Sequence, residues 1–228
     1  IRDDLVTGVQ TCALPISEVP RADIPRSSFN RSHGYKTTFD ADYLIPVLVD
    51  DIIPGDTFNV NMSFFARLAT PLFPIMDNMR LDSFFFFVPY RLVWSNWEKM
   101  HGAQDDPADS IDFTVPVVTG SSGTTGEGSL WDYFGLPLDN GAGSHMDPDD
   151  LPTSALPFRA YHLIWDEWFR DQNLQDAWFI DWAPAGDAAT TLQSTRANNA
   201  VSNVPLKRGK WHDYFTSALP WPQKGSAV

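Results

Sequence analysis

Three adjacent aspartate pairs, Asp50/Asp51, Asp105/Asp106 and Asp149/Asp150, are the residues best suited by type to acid–base chemistry. A glycosidase needs two carboxyl groups on opposite sides of a sugar bond, about 5 to 9.5 Å apart. Neighbouring aspartates beside Pro or Gly read instead as solvated turns. The five histidines, His33, His101, His145, His162 and His212, show neither an HExxH motif nor the paired spacing that zinc requires. Ser217, in FTSALP, lacks the GxSxG elbow that exposes a nucleophile. Gly123, Gly126 and Gly128 in GTTGEG have no following lysine and no strand-to-helix setting, so they read as a flexible loop. The residues therefore point to no catalytic, cofactor or metal site.

Two other groups of side chains remain. Arg21, Arg26 and Arg31 recur every five residues, and Lys207, Arg208 and Lys210 form a second basic cluster. Basic groups on extended segments can neutralise phosphates without reading sequence, so both are candidate nucleic-acid contacts. The chain as a whole opposes this, with a formal net charge of −13 that phosphate and anionic membranes repel. Any nucleic-acid contact must be local. The second group is aromatic: four consecutive phenylalanines, Phe84, Phe85, Phe86 and Phe87, and nine tryptophans, among them Trp94, Trp97, Trp165, Trp168 and Trp221. Such residues form cores or subunit contacts, or, on one exposed face, a platform for sugars.

The elements that would position these groups are read from pattern. Residues 17–34 are Pro- and Ser-rich without helical periodicity and read as an extended arm. KTTF (Lys36 to Phe39), YLIPVLV (Tyr43 to Val49) and TFNVNMSFFARL (Thr57 to Leu68) read as strands, with Pro54 and Gly55 marking a turn between the last two. LDSFFFFVPY (Leu81 to Tyr90) reads as a strand apolar on both faces, which needs covering on both sides. Over Arg91 to His101, Val93, Trp94, Trp97 and Met100 or His101 recur at helical spacing, and Gly102 is placed to end that short helix. Ser129 and Asp132 can cap a helical turn at LWDYF. Pro157 to Asn173 is the clearest helix, its stripe of Phe158, Tyr161, Trp165, Trp168 and Phe169 lying opposite Asp166, Glu167 and Asp171. Stretches 103–156 and 177–206 read as loop-rich. No apolar run approaches the roughly 20 residues that span a bilayer, so no membrane insertion is expected.

Residues 1–16, IRDDLVTGVQTCALPI, resemble one translated frame of a sequencing adapter with two index-encoded residues. On that reading they are a laboratory artefact, and Cys12, the single cysteine, does not belong to the natural protein. The chain starts at Ile1, and a partial gene product is expected.

Four blocks carry a family resemblance. PRADIPRSSFNRSHGYKTTFDADYLIPVLVDDIIPGDTFNV (Pro20 to Val60), RLATPLFPIMDNMRLDSFFFFVPYRLVWSNWEKMHG (Arg67 to Gly102), LPFRAYHLIWDEWFRDQNLQD (Leu156 to Asp176) and KRGKWHDYFTSALPWPQKG (Lys207 to Gly225) together resemble the amino-terminal half of gokushovirus major capsid proteins, in the microvirus family of small single-stranded DNA phages. The resemblance implies a mainly β fold, the viral jelly roll. This is an eight-stranded antiparallel barrel of two Greek keys with long loop insertions and short helices, here truncated after about half the chain. It implies a structural virion protein made in the bacterial host cytoplasm. Its partners would be copies of itself in a T=1 icosahedral shell, circular single-stranded DNA, a small basic DNA-packaging protein and a host receptor met by surface loops. The domain expected over 35–228 is the first part of that jelly roll. Trp211 stands where the pattern leads one to expect a basic residue, which weakens the case for DNA contact by the 207–210 cluster. Two other readings stay open, a carbohydrate-binding β-sandwich and a glycosidase domain; exposed tryptophans on one face would mark the first, two carboxyls across a cleft the second.

Overall fold

A computed structural model of the chain describes residues 25–119, 123–138, 152–171, 175–178, 187, 189–193 and 200–209. The chain divides into two compact units, Ile1–Tyr35 and Lys36–Val228. In the first, residues 25–35 are extended and exposed, with local ties such as the Ser32 N–H on the Asn30 side chain.

The second unit is organised around α3, Leu156–Ile164, which runs on as a π-type turn through Trp165–Phe169. Pro157 sits in its first turn, where its missing N–H costs nothing. Phe158, Arg159 and His162 are buried at helical spacing. The wider π turn adds a residue per turn and so rotates the side chains beyond Ile164 around the helix axis. Asp166 is carried inward, to 5% exposure, and Trp168 outward, to 66%. Both are the reverse of the stripe read from a regular helix, and the helix stops at Phe169, because Arg170 turns extended.

Beside α3 lies a four-stranded mixed sheet of β1 (Val117–Thr119), β2 (Thr153–Ser154), β3 (Thr190–Gln193) and β4 (Ala200–Ser202), in the order β2-β1-β3-β4. β1 and β2 are antiparallel, with Val117 opposite Ser154. β1 with β3 and β3 with β4 are parallel. Val118, Leu192 and Val201 from this sheet meet Leu130 and Trp131 of α2 (Leu130–Tyr133) and Phe158 of α3 in the main core. A second cluster joins Val93, Trp94 and Leu156, backed by Tyr90, Trp97 and Met100. It is built from a 3-10 turn at Tyr90–Leu92 and from α1, Trp97–Met100.

The fold is thus a small mixed sheet with few helices, in keeping with a mainly β protein. The differences from the sequence reading are specific. Every strand of this sheet falls within the stretches read as loop-rich. Of the segments read as strands, none forms a ladder among the described residues; Tyr43 makes a single bridge to Lys207. Residues 57–68 and 81–88 are extended and apolar, with Phe65 at 92% and Phe87 at 74% exposure. Alternation specifies which face of a strand is apolar, whereas the ladder needs a neighbour's backbone. Two parallel pairings also set this sheet apart from an all-antiparallel barrel, and the eight-stranded jelly roll does not appear among the described residues.

Punctuation matches the sequence more closely. Gly55 and Gly102 take φ of 93° and 88°, and the Gly102 N–H caps α1 on the Lys99 carbonyl. Ser129 accepts the Asp132 N–H at 3.2 Å while the Asp132 carboxylate accepts the Gly128 N–H, a near-reciprocal cap at the start of α2. Ser129→Ala is expected to cost about 1 kcal/mol, read as a lowered denaturant midpoint with unchanged slope.

Candidate assembly surface

The phenylalanine run lies along the end of α3 and alternates, as an extended chain must. Phe84 and Phe86 turn toward the helix: Phe84 meets the Phe169 ring edge-on at 5.2 Å, and Phe86 meets Phe169 at 5.8 Å and Trp168 at 6.0 Å. Phe85 and Phe87 make no ring contact with the helix and stand 62% and 74% exposed. One face is therefore partly covered, with Phe84 and Phe86 at 43% and 41% exposure, and the other more open. Phe86, Phe87, Val88, Leu92, Leu163 and Trp168 line an open groove of about 190 Å³, with Glu167 as the sole ionisable group on its wall.

An ion-pair brace fixes the start of this run. Asp82 takes Arg80 at 2.6 Å and Arg208 at 3.0 Å. The Arg80 hydrogen bond, more than that from Arg208, holds the Asp82 carboxyl below its ordinary value. Arg208 also lies over the rings of Phe84 and Phe169, at 5.6 and 5.8 Å. Arg208 thus spends its charge inside the fold. Lys207 stacks on Tyr43 at 5.0 Å and is otherwise exposed. Arg26 and Arg31 lie on the exposed arm. Arg21 and Lys210 lie outside the described residues, as does Trp221.

The tryptophans separate into two roles. Trp94 and Trp165 are buried, and their indole N–H groups donate to Asp187 at 2.9 Å and to the Lys207 carbonyl at 2.8 Å. Trp97 is half-buried between Tyr90 and His101. Trp168 alone among the described tryptophans is exposed. A sugar platform needs several exposed on one face, which the described tryptophans do not provide.

Of the described carboxylate pairs, Asp105/Asp106 lie in a bend and Asp50/Asp51 in chain without regular structure. The Asp106 N–H bonds the Asp109 carboxylate at 2.9 Å, and Asp51 accepts the Tyr90 hydroxyl. Burial, together with the weaker effect of the Asp51 hydrogen bond, pushes the Tyr90 phenol up. Asp149 and Asp150 lie outside the described residues. No group of three or more His, Cys, Asp or Glu able to hold a metal occurs among the described residues, and no helix there is long and apolar enough to cross a membrane.

Sequence reasoning missed a polar network that ties α3 to β3 and to the segment around Val93 and Trp94. The fully buried Arg159 donates to Thr190 Oγ1 and to the Val93 carbonyl, both at 3.1 Å. Asp187 collects Trp94, Asn96 and the Thr114 N–H at 2.8 to 2.9 Å. Its desolvation raises the carboxyl, yet these donors prevail and hold it below its ordinary value. An arginine near the start of a nine-residue helix, between Phe158 and Tyr161 on the apolar stripe, was the available signal.

Residues 17–228 match the family described as capsid protein (F protein). Capsid protein VP1 of Bdellovibrio phage phiMH2K is 48% identical over 212 residues, covering 93% of this chain and 36% of the relative. The VP1 proteins of Chlamydia phage 1 and Spiroplasma virus 4 are 46% and 33% identical, covering 93% and 89% of this chain. The chain spans about a third of the length of these relatives. With every residue beyond the first sixteen inside the match, this chain belongs to the F protein family of phage capsid proteins.

Proposed function

We propose that this chain is an amino-terminal part of a major capsid protein whose copies assemble into a T=1 icosahedral shell around circular single-stranded DNA. The role is structural, without turnover. The observation that carries it is the half-covered phenylalanine run: Phe84 and Phe86 pack on the end of α3, while Phe85, Phe87 and Trp168 offer apolar surface to a further layer. An apolar strand left open in this way is an association hazard in a lone subunit and a joint in an assembly. The complete protein would be a viral jelly roll. Residues 57–68, extended and without a ladder here, are suited to be a barrel strand whose partners come from the remaining two-thirds of the length seen in the relatives. The small mixed sheet would then be part of an insertion between barrel strands. Residues 1–16 fall outside the family match, which supports their reading as adapter sequence.

The acidic chain favours a division of labour in which a small basic protein neutralises most of the genome. Arg26 and Arg31 on the exposed arm supply local phosphate contacts, and surface loops meet the host receptor. Production is in the host cytoplasm and the final location is the virion.

The test is to express the full reading frame that contains this chain and follow particle formation by sedimentation and electron microscopy. Wild-type protein is expected to form closed shells, and the Phe85→Ser/Phe87→Ser double variant to abolish them. Wild-type protein that stays monomeric would overturn the reading. A second expectation concerns the arm: Arg26→Glu/Arg31→Glu should lower the DNA content of particles several-fold while shells still form, measured by the ratio of ultraviolet absorbance of nucleic acid to that of protein.

A further inference from the structure

We propose that His162 is an acid-sensitive latch: it holds α3 against the edge strand β4 and opens when its second ring nitrogen takes a proton. Both ring nitrogens are committed. The Ser202 N–H, which can only donate, reaches Nε2 at 2.8 Å. Nε2 must therefore be the bare nitrogen, which places the proton on Nδ1, 2.7 Å from the Phe158 carbonyl. The ring is fully buried, flanked by Tyr161 at 5.2 Å and by Trp178 at 5.5 Å. Trp178 is itself pinned, its backbone N–H to Asp166 and its indole N–H to the Ala200 carbonyl. A second proton would set two N–H groups against each other across the 2.8 Å gap, too short for a water to stand between them.

The charged and titratable neighbours do not rescue the imidazolium. From α3 itself, Arg159 is directed to Thr190 and Val93, and the Tyr161 hydroxyl donates to the Leu44 carbonyl while accepting the Leu206 N–H. In the π turn, Asp166 accepts the Trp178 N–H and lies 3.5 Å from Arg170. β3 and β4 carry no ionisable side chain. Burial accordingly lowers the His162 pKa from 6.5 to about 4, only partly opposed by the Phe158 carbonyl.

Opening would be transmitted. β4 runs directly into residues 203–209, whose backbone anchors a distant segment: the Leu206 carbonyl accepts the Leu44 N–H at 3.0 Å, and the Arg208 N–H donates to the Asp42 carbonyl at 2.8 Å. The same stretch holds Trp165 through the Lys207 carbonyl. The open state binds its proton below pH 6.5 and the closed state only near 4. Closure is therefore fully favoured above pH 6.5 and is lost as pH falls, by roughly tenfold per unit and about 300-fold in all, levelling off below 4.

Hydrogen exchange observed by mass spectrometry, corrected for intrinsic rates, tests this on the full chain and on His162→Gln, which retains a donor and an acceptor but does not titrate. Protection in peptides spanning 200–208 and 42–48 is expected to fall roughly tenfold per pH unit between about 6.5 and 4.5 in the wild type and to stay level in the variant. Equal slopes in both proteins, or no slope in the wild type, would overturn the latch. If the variant does not fold, the nitrogen chemical shifts of the wild-type imidazole decide. A neutral Nδ1–H ring persisting below about pH 6 supports the proposal; a ring that titrates near its ordinary value while Ser202 stays protected refutes it.

Discussion

Replacing Arg159 with alanine is expected to destabilise the fold by about 3 kcal/mol, through lost hydrogen bonds, those to Thr190 and Val93 among them, and a cavity together. The guanidinium is fully buried and spans three elements: its own helix α3, Thr190 on β3 and the Val93 carbonyl behind the 3-10 turn. Burial pulls its pKa down from its ordinary value to about 10, with Asp187 opposing, so it stays charged at neutral pH. The charge is not the whole of its contribution. Arg159→Lys keeps a cation but loses the fork that reaches both acceptors, and should fall between wild type and alanine. Arg159→Met fills the volume and leaves the Val93 carbonyl and Thr190 hydroxyl without this donor, at a cost of about 1–3 kcal/mol. Denaturant titration read by tryptophan fluorescence would give the order wild type, Lys, Met, Ala. Methionine matching wild type would show that packing alone, not the hydrogen bonds, holds α3 to β3.

What the sequence discloses about this molecule is governed by the range of the interaction responsible. Gly55, Gly102 and Ser129 were legible because a turn or cap is decided within a few residues by backbone dihedrals and one hydrogen bond. The helix was legible for the same reason, but its end was not. A π turn depends on what its side chains meet, and here it exchanges Asp166 for Trp168 on the buried side. Arg159 and His162 are polar by type, yet each is buried by partners far along the chain: Val93, 66 residues earlier, and Ser202, 40 residues later. Strand identity failed in the same way. Residues 57–68 have a strand's alternation without a strand's neighbour, whereas Thr190–Gln193, polar and short, acquires two neighbours and becomes an inner strand of the sheet. Of the candidate surface, the aromatic run was visible in sequence. Which rings are covered was not, because that is set by Phe169 and Trp168, on a helix far along the chain.

The largest loss is expected at Trp131, where Trp131→Ala should cost about 3–5 kcal/mol, a large part of the stability of a domain of this size. Its side chain is fully buried, stacks near Phe158 at 6.0 Å and packs with Val118, Leu130, Leu192 and Val201. Its indole N–H is used as well, donating to the Pro137 carbonyl at 2.7 Å. Alanine would leave a cavity where sheet, α2 and α3 converge, and would leave that carbonyl without its donor. Trp131→Phe keeps most of the apolar volume and loses the N–H, so a cost of about 1–2 kcal/mol is expected. Trp168→Ala supplies the contrast. With the ring 66% exposed, its removal should change subunit stability by no more than about 0.5 kcal/mol. If the groove it borders is covered in the shell, Trp168→Ala should nonetheless reduce particle yield, while Trp131→Ala reduces yield only in proportion to the folded protein lost. Denaturant midpoints and particle yields measured on both variants separate the two roles. Trp168→Ala particles forming at wild-type yield would show that Trp168 is no part of the subunit joint, because burying a ring this size at a contact contributes more than assembly could lose without a fall in yield.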